Sequence, residues 1–322
     1  MNQKYYDVIG FILKFAIGAI VKNEADSILE WVAYHWVVGI DHFFIADNGS
    51  NDGTYEILKG LEKQGFVTVF RFPTLGTKAP QLLAYKKIIK LSKGLYTAVA
   101  FIDADEYLVP MDESDNVKLY LTQWFSKPDT AAVAMNWACF GSSGEIFRRP
   151  ELVIERFKLR FSEKRNQNHH FKTIVRPEKV EIFYNPHMVK LKSGNYLNVL
   201  GEKLVAHPKQ TFGLSDKVIW YPVRVNHYVV KSLEEFLVRK SPAGSAATIG
   251  KEKHQRYFIT HDHNDSTCEV AAMIAPKVRI EMNKMAEGNV KYLQPSLLYK
   301  SYTHLKVKLI QQIGLLRWWW LR

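Results

Sequence analysis

Three short stretches carry residue types that can do chemistry. Asp103-Ala-Asp105 follows an apolar run at residues 97–102, and two carboxylates on one side of a short extended turn can hold a hard divalent cation with its bound diphosphate. Such a tripeptide is common in surface loops, so its place at the carboxyl end of a strand gives it its weight. Asp47-Asn-Gly-Ser-Asn-Asp52-Gly-Thr54 has the residues that stop a strand sharply and start a helix, with Asp52 or Thr54 as cap. Turn chemistry accounts for Gly49, Ser50 and Gly53. Asp47 and Asn48, at the strand end, either serve the turn or hydrogen-bond a base edge or a ribose hydroxyl. Neither GxxxxGKS/T nor GxGxxG occurs, so this is not a phosphate-cradling loop. Ser232-Leu-Glu-Glu235 reads as a capping box that gives Glu235 a structural role. Glu234 then remains free to act as a base, with Glu145, beside the Gly141-Ser-Ser-Gly144 turn, as its rival. Lys231 precedes the helix start, where its charge and the exposed amides suit a phosphate; the alternative is a solvated lysine. His169-His170 and His261-Asp-His263 lack a zinc spacing and read as polar loop residues. The basic stretch 148–172 either meets an anionic acceptor or is solvated.

These residues need a frame to place them. The unbroken apolar run Phe15–Val21 predicts a strand buried on both faces, and Ile28, Leu29, Val32 and Trp36 then recur at helical spacing. Strands at 42–46, 66–70 and 97–102 alternate with helices at 55–64 and 82–91, which predicts a parallel, doubly wound sheet. Ligands of such sheets sit beyond the carboxyl ends of the strands, where Asn23-Glu24, Asp47-Asn48 and Asp103-Ala-Asp105-Glu106 fall. After Pro110 the pattern predicts a helix at Val117–Phe125, a strand at 131–137, loops to about residue 187, a strand at 223–225, and mostly helix from Ser232 onward.

A chain of 322 residues, 47% hydrophobic and 24% charged, can bury a large core, which excludes a disordered chain or a fibrous repeat. Two distant cysteines, Cys139 and Cys268, give neither a disulfide framework nor a zinc ribbon, and a reducing compartment is expected. The apolar run 8–21 carries Lys14 and leads straight into Lys22-Asn23-Glu24, too short to span a bilayer and without a cleavage pattern; a cytosolic location is expected. Lys and Arg exceed Asp and Glu by 44 to 32, a net charge of +12 that calls for an anionic partner. No RNP, KH or C2H2 pattern is present, so nucleic acid is not expected as that partner. Near the end, Leu305, Leu309, Ile313, Leu316 and Trp320 fall on one face of a helix ringed by Lys306, Lys308, Arg317 and Arg322, a pattern suited to an anionic membrane surface or to packing on protein.

Ile20-Val-Lys-Asn-Glu24, Glu30-Trp31, Ala46-Asp-Asn-Gly-Ser-Asn-Asp-Gly-Thr54 and Phe101-Ile-Asp-Ala-Asp-Glu106 together resemble the nucleotide-sugar half of family 2 type glycosyltransferases with the GT-A fold. Trp137-Ala-Cys-Phe-Gly-Ser-Ser-Gly144, Lys172-Thr-Ile-Val-Arg-Pro177 and Asn226-His-Tyr-Val-Val-Lys-Ser-Leu-Glu-Glu-Phe236 resemble the related family 92 group. The resemblance implies a GT-A type α/β fold with a doubly wound, mostly parallel sheet, acceptor-side insertions and a helical C-terminal region. It divides the chain into a nucleotide-sugar half (1–110), an acceptor-side and metal-completing half (111–265) and a helical extension (266–322). It implies Val21, Asn23, Glu24, Asp47 and Asn48 around uracil and ribose, Gln81 near the sugar-nucleotide, and Asp103 and Asp105 at a metal and the diphosphate. Asn48 stands where the family has a second acid. His227 matches the late histidine of the family's metal shell, and an imidazole beside carboxylates favours Mn2+ over Mg2+. The implied reaction is inverting, metal-dependent transfer of a sugar from a UDP-linked donor to a saccharide or lipid-linked acceptor. A basic nucleic-acid-binding protein or an inactive saccharide-binding module are the competing readings.

Overall fold

The computed structural model describes residues 13–76, 79–208, 212–243 and 253–287. Four strands, β1 (Phe15–Val21), β2 (His42–Asp47), β3 (Val67–Arg71) and β4 (Ala98–Phe101), pair in parallel in the order β4-β1-β2-β3. Helices α1 (Ile28–Val37), α2 (Thr54–Lys63) and α3 (Pro80–Ser92) connect them. Because strand side chains alternate, Phe15, Ile17, Ala19 and Val21 enter one core with Ile28, Trp31 and Leu58, while Ala16 and Ile20 enter a second with Ala84, Tyr85 and Ile88. The helices thus cover both faces, as the buried apolar run of β1 requires. Gly18 lets α3 approach β1: a Cβ there would lie 2.9 Å from both Ile88 and Phe101 side-chain atoms.

Beyond β4 the sheet becomes mixed. The remaining strands are β5 (Glu106–Pro110), β6 (Thr130–Phe140), β7 (Leu159–Arg160), β8 (Phe171–Val175), β9 (Val180–Phe183), β10 (Val189–Leu191), β11 (Asn195–Asn198), β12 (Val223–Tyr228) and β13 (Ser266–Thr267). A helix at Val117–Phe125, α4, lies between β5 and β6 as the sequence predicts. Strand β8 lies antiparallel to both β4 and β6. The far half of β6 leaves β8 and pairs in parallel with β12, which pairs antiparallel with β5. The stretch expected to be loop up to residue 187 therefore holds three strands, β7 to β9. Strand β8 escaped notice because Lys172 and Thr173 interrupt its apolar run, although all five of its residues are buried. Strand β12 runs three residues further than predicted, so His227 lies inside it instead of following it.

The C-terminal region is mostly helical within the described residues. A capped helix at Leu233–Glu235 continues as a π-helical turn, Phe236–Lys240, and a helix at Ala275–Glu287 packs on α1. Buried Val278 and Met285 join the core of α1, and Gln64 Nε2 donates to the Met285 carbonyl over 2.9 Å. Among the described residues no helix is long and apolar enough to cross a membrane. Residues 305–322, where the amphipathic pattern falls, lie outside the described residues.

Candidate active site

The loops after β1 and β2 are laced together by the turn motif. Thr54 Oγ1 accepts the Glu24 N–H at 2.7 Å, Asp52 accepts the Ala25 N–H at 3.1 Å, and Ser50 Oγ accepts the Asn23 N–H at 2.9 Å. Asn23 adopts φ +57°, a left-handed conformation that asparagine tolerates, and its Oδ1 accepts the Asn51 N–H. The Val21 carbonyl accepts the Asn48 N–H at 2.8 Å. The motif thus holds Val21, Asn23, Glu24 and Asn48 on one edge.

Asp47 takes the turn role of its two readings. Its fully buried carboxylate accepts the N–H groups of Gly49 and Ser50 and pairs with Arg71 at 2.8 Å. That is a turn brace, sealed by its own partners, and the polar group at the β2 end that remains beside it is Asn48, whose Oδ1 accepts from Thr74 at 3.0 Å.

At the end of β4, Asp103 accepts from Gln81 Nε2 at 2.9 Å and from Lys172 Nζ at 2.8 Å. Lys172, fully buried, also lies 3.3 Å from Glu106, whose carboxylate accepts the Asp103 N–H. Burial pushes the Glu106 carboxyl up to about 8 against the pull of Lys172, and one of its oxygens has no hydrogen-bond partner among the described residues. Asp105 faces the other way: its Oδ2 pairs with Lys240 and lies 3.6 Å from His227 Nε2. Burial raises the Asp105 carboxyl, yet Lys240 and His227 outweigh it and hold the group well below the usual carboxylate range. Burial drives the His227 imidazole down to about 4 despite Asp105. The His227 ring packs on Trp137 at 4.2 Å, and its Nδ1 is buried without a hydrogen-bond partner among the described residues.

The expected metal set is therefore only partly assembled. Asp105 and His227 offer neighbouring oxygen and nitrogen donors, but the Asp103 carboxylate is engaged by Gln81 and Lys172. Among the described residues no group of three His, Cys, Asp or Glu side chains is placed to hold a metal ion. Asp105 and His227 suit a divalent cation whose further ligands would come from a bound diphosphate; Asp103 is held by Gln81 and Lys172 and Asp105 by Lys240, so either carboxylate would exchange a cation for the metal.

Lys231 is not the solvated lysine of the alternative reading. It is buried at φ +56°, with Nζ 3.3 Å from Ser27 Oγ and 3.9 Å from Glu24, and burial and then Arg239 lower its ammonium to about 8. Glu24 also pairs with Arg239 at 3.2 Å. Glu234 accepts the Arg148 N–H at 2.8 Å, and Glu145 pairs with Arg149. Both lie at one junction, because the Leu233 N–H donates to the Glu145 carbonyl. Glu235 caps its helix as expected and is held by both guanidinium nitrogens of Arg156 at 2.8 and 3.0 Å. In the basic stretch 148–172, Arg148, Arg149, Arg156, Arg165 and Lys172 pair with acids, while residues 148–151 and 163–164 are exposed. His169, His170 and His263 bond within the loops, whereas His261, also read as a loop residue, ends a helix, Gln255–His261.

Sequence reasoning missed Lys172, Glu106, Arg239 and Lys240 as site residues. Glu106 had a signal, since it directly follows the aspartate pair. Lys172 opens the segment Lys172–Pro177 that carries part of the family resemblance, whereas nothing in the local pattern separates Arg239 and Lys240 from surface cations.

The parallel-led sheet, its acidic carboxyl edge and the mixed extension through β8, β6 and β12 define a GT-A type α/β domain. The profile of Glycosyltransferase family 92 matches residues 17–212, and the chain belongs to that family. A family 92 protein of Oryza sativa subsp. japonica is 26% identical over 195 residues, covering 59% of this chain and 32% of that protein. One of Ricinus communis is 27% identical over 188 residues, covering 55% and 31%. The matched stretch spans about a third of the length of these curated relatives. Among solved structures, S. aureus TarS in complex with UDP-GlcNAc is 16% identical, with 51% of this chain and 46% of that one covered at a TM-score of 0.33.

Proposed function

We propose that the chain is a glycosyltransferase that moves a sugar from a nucleoside diphosphate donor, UDP-linked, to a saccharide or lipid-linked acceptor with inversion. The observation that carries this reading is the pairing of Asp105 with His227 at the carboxyl edge of a family 92 domain, beside the loop that presents Asn23, Glu24 and Asn48. Asn48 and Asn23 are placed to meet the base and ribose through amide hydrogen bonds. Gln81 and Lys172 orient Asp103 toward the donor. Asp105 and His227 would hold Mn2+ (or Mg2+), which supplies charge stabilisation for the leaving diphosphate. Glu234 takes the proton of the acceptor hydroxyl, with Glu145 at the same junction as the second choice. Lys231 buttresses Glu24 from below. The enzyme works in the cytosol, held at the inner face of an anionic membrane through residues 305–322.

A thermal-shift panel of nucleotide sugars, with and without Mn2+, tests the reading. Stabilisation by UDP-sugars that grows with Mn2+ is expected. Stabilisation by oligosaccharides alone would favour an inactive binding module, and stabilisation by oligonucleotides alone would favour the nucleic-acid reading.

A further inference from the structure

The π-helical turn Phe236–Lys240 delivers two consecutive cations to the site. Its root is fixed: Phe236 is fully buried in a cluster with Cys139 and Phe258, and Glu235 just before it is clamped by Arg156. Its far end reaches two different loops. Arg239 pairs with Glu24 beyond β1, and Lys240 pairs with Asp105 beyond β4. Single π turns are rare, and they occur frequently at functional sites because the extra residue re-aims the side chains that follow.

The charges at this edge do not cancel. Lys172, Lys231, Arg239 and Lys240 face Asp103, Glu106, Glu24 and Asp105, four cations against four carboxylates, so the surplus at this edge comes from one more cation. Lys253 adds a further cation, placed over the Tyr257 ring and coupled electrostatically to Lys240 and Asp105. An edge with surplus positive charge, lined by partly buried ammonium and guanidinium groups, is built for an anion with several oxygens. As purely structural links these pairs gain little, since two desolvated charges barely outperform an apolar pair of the same shape.

We infer that the Phe236–Lys240 turn is a diphosphate clamp, in which Arg239 and Lys240 pass from Glu24 and Asp105 to the oxygens of a bound nucleoside diphosphate. The clamp rests on the donor class proposed above. The exchange keeps each cation paired throughout, and it frees the Asp105 oxygen that Lys240 covers in the structure. Arg239 and Lys240 therefore bind the leaving group, whereas Lys231, held on Ser27 and Glu24, positions the loop.

Calorimetric titration of the full chain with UDP and with uridine, in Mn2+, tests the clamp. A charge-assisted hydrogen bond lost from the diphosphate weakens UDP binding by roughly tenfold or more. Lys240→Met should show that loss with uridine affinity unchanged, and Lys240→Arg should recover most of it. Equal or tighter UDP binding by Lys240→Met would overturn the clamp and leave the donor class standing. Failure of the wild-type chain to bind either UDP or uridine would overturn the donor class itself, and the clamp with it. If Lys240→Met does not fold, Arg239→Gln, which leaves Asp105 paired, gives the same comparison: a selective loss of UDP affinity supports the clamp and no loss refutes it.

Discussion

Two aspartates at or beyond the carboxyl ends of β2 and β4, parallel strands on either side of β1, do different work. Asp47 spends its carboxylate on the N–H groups of Gly49 and Ser50 and on Arg71, whereas Asp105 presents its carboxylate to Lys240 and His227. Asp47→Ala should therefore lower stability by about 2 kcal/mol, because buried donors lose their acceptor; urea unfolding measures it, and an unshifted midpoint would count against the brace. Asp105→Asn should keep the fold by circular dichroism and lose sugar transfer. Glu30 makes a third carboxylate with a different consequence. It accepts the Val153 N–H at 2.9 Å from inside the core, and burial pushes it up to about 7 against that bond and the cations Lys231 and Arg156. The folded state thus holds the proton more tightly than the unfolded chain. Its contribution is full below an ordinary carboxyl pKa of 4.5 and is lost as pH rises through about 7, a change of roughly 3 kcal/mol. Glu30→Gln should flatten that decline, so its urea midpoint should exceed that of wild type at about pH 8.5 by more than at about pH 5. Parallel pH curves for the two proteins would contradict it. At this scale the sequence revealed the aspartates through their position at strand ends. It hid Lys240, because a buried lysine outside any motif differs from the chain's other cations only in what the fold brings next to it.

Among strands buried on both faces, those with an unbroken apolar run were legible and those interrupted by polar residues were not. Strand β1 has no polar residue and was read to the residue, while β8 is equally buried but carries Lys172 for the site and Thr173 for the His187 carbonyl. Function wrote polar residues into a core strand, and the apolar signal broke there. The same conflict hid the end of β12, where Asn226 and His227 are buried among apolar neighbours. The helix–strand spacing in the first 110 residues is tight enough to test. Gly18 lies under α3, and a Cβ would meet Ile88 and Phe101 at 2.9 Å. Gly18→Val should cost about 1–3 kcal/mol through overpacking. Because α3 also carries Gln81 to Asp103, displacing the helix should weaken donor binding in proportion. A stable Gly18→Val protein with a normal urea midpoint would mean that α3 can shift without penalty.

Across the whole molecule, the three sequence segments interleave. Strand β8 from the second sits against β4 of the first, and the helix Ala275–Glu287 from the third packs on α1. The described fold therefore draws on residues as far as Glu287, and several of its cations are paired with its own acids: Arg148, Arg156, Arg165, Lys172, Arg239 and Lys240 all pair internally. Residues 288–322 differ in kind. They hold Lys291, Lys300, Lys306, Lys308, Arg317 and Arg322 and no acid, so they supply six of the net +12 charges. Near an anionic bilayer each such cation is worth about 1 kcal/mol, and the three tryptophans 318–320 suit the lipid–water boundary. The full chain should sediment with anionic vesicles, far less with neutral ones, and lose the interaction as salt is raised, because screening removes the charge attraction. A chain shortened after Glu287 keeps Val278 and Met285 in the α1 core, so it should unfold at the same temperature and still bind UDP while remaining in the supernatant. Sedimentation of the shortened chain equal to that of the full chain would place the membrane contact elsewhere, and a lowered unfolding temperature would assign residues 288–322 to packing instead.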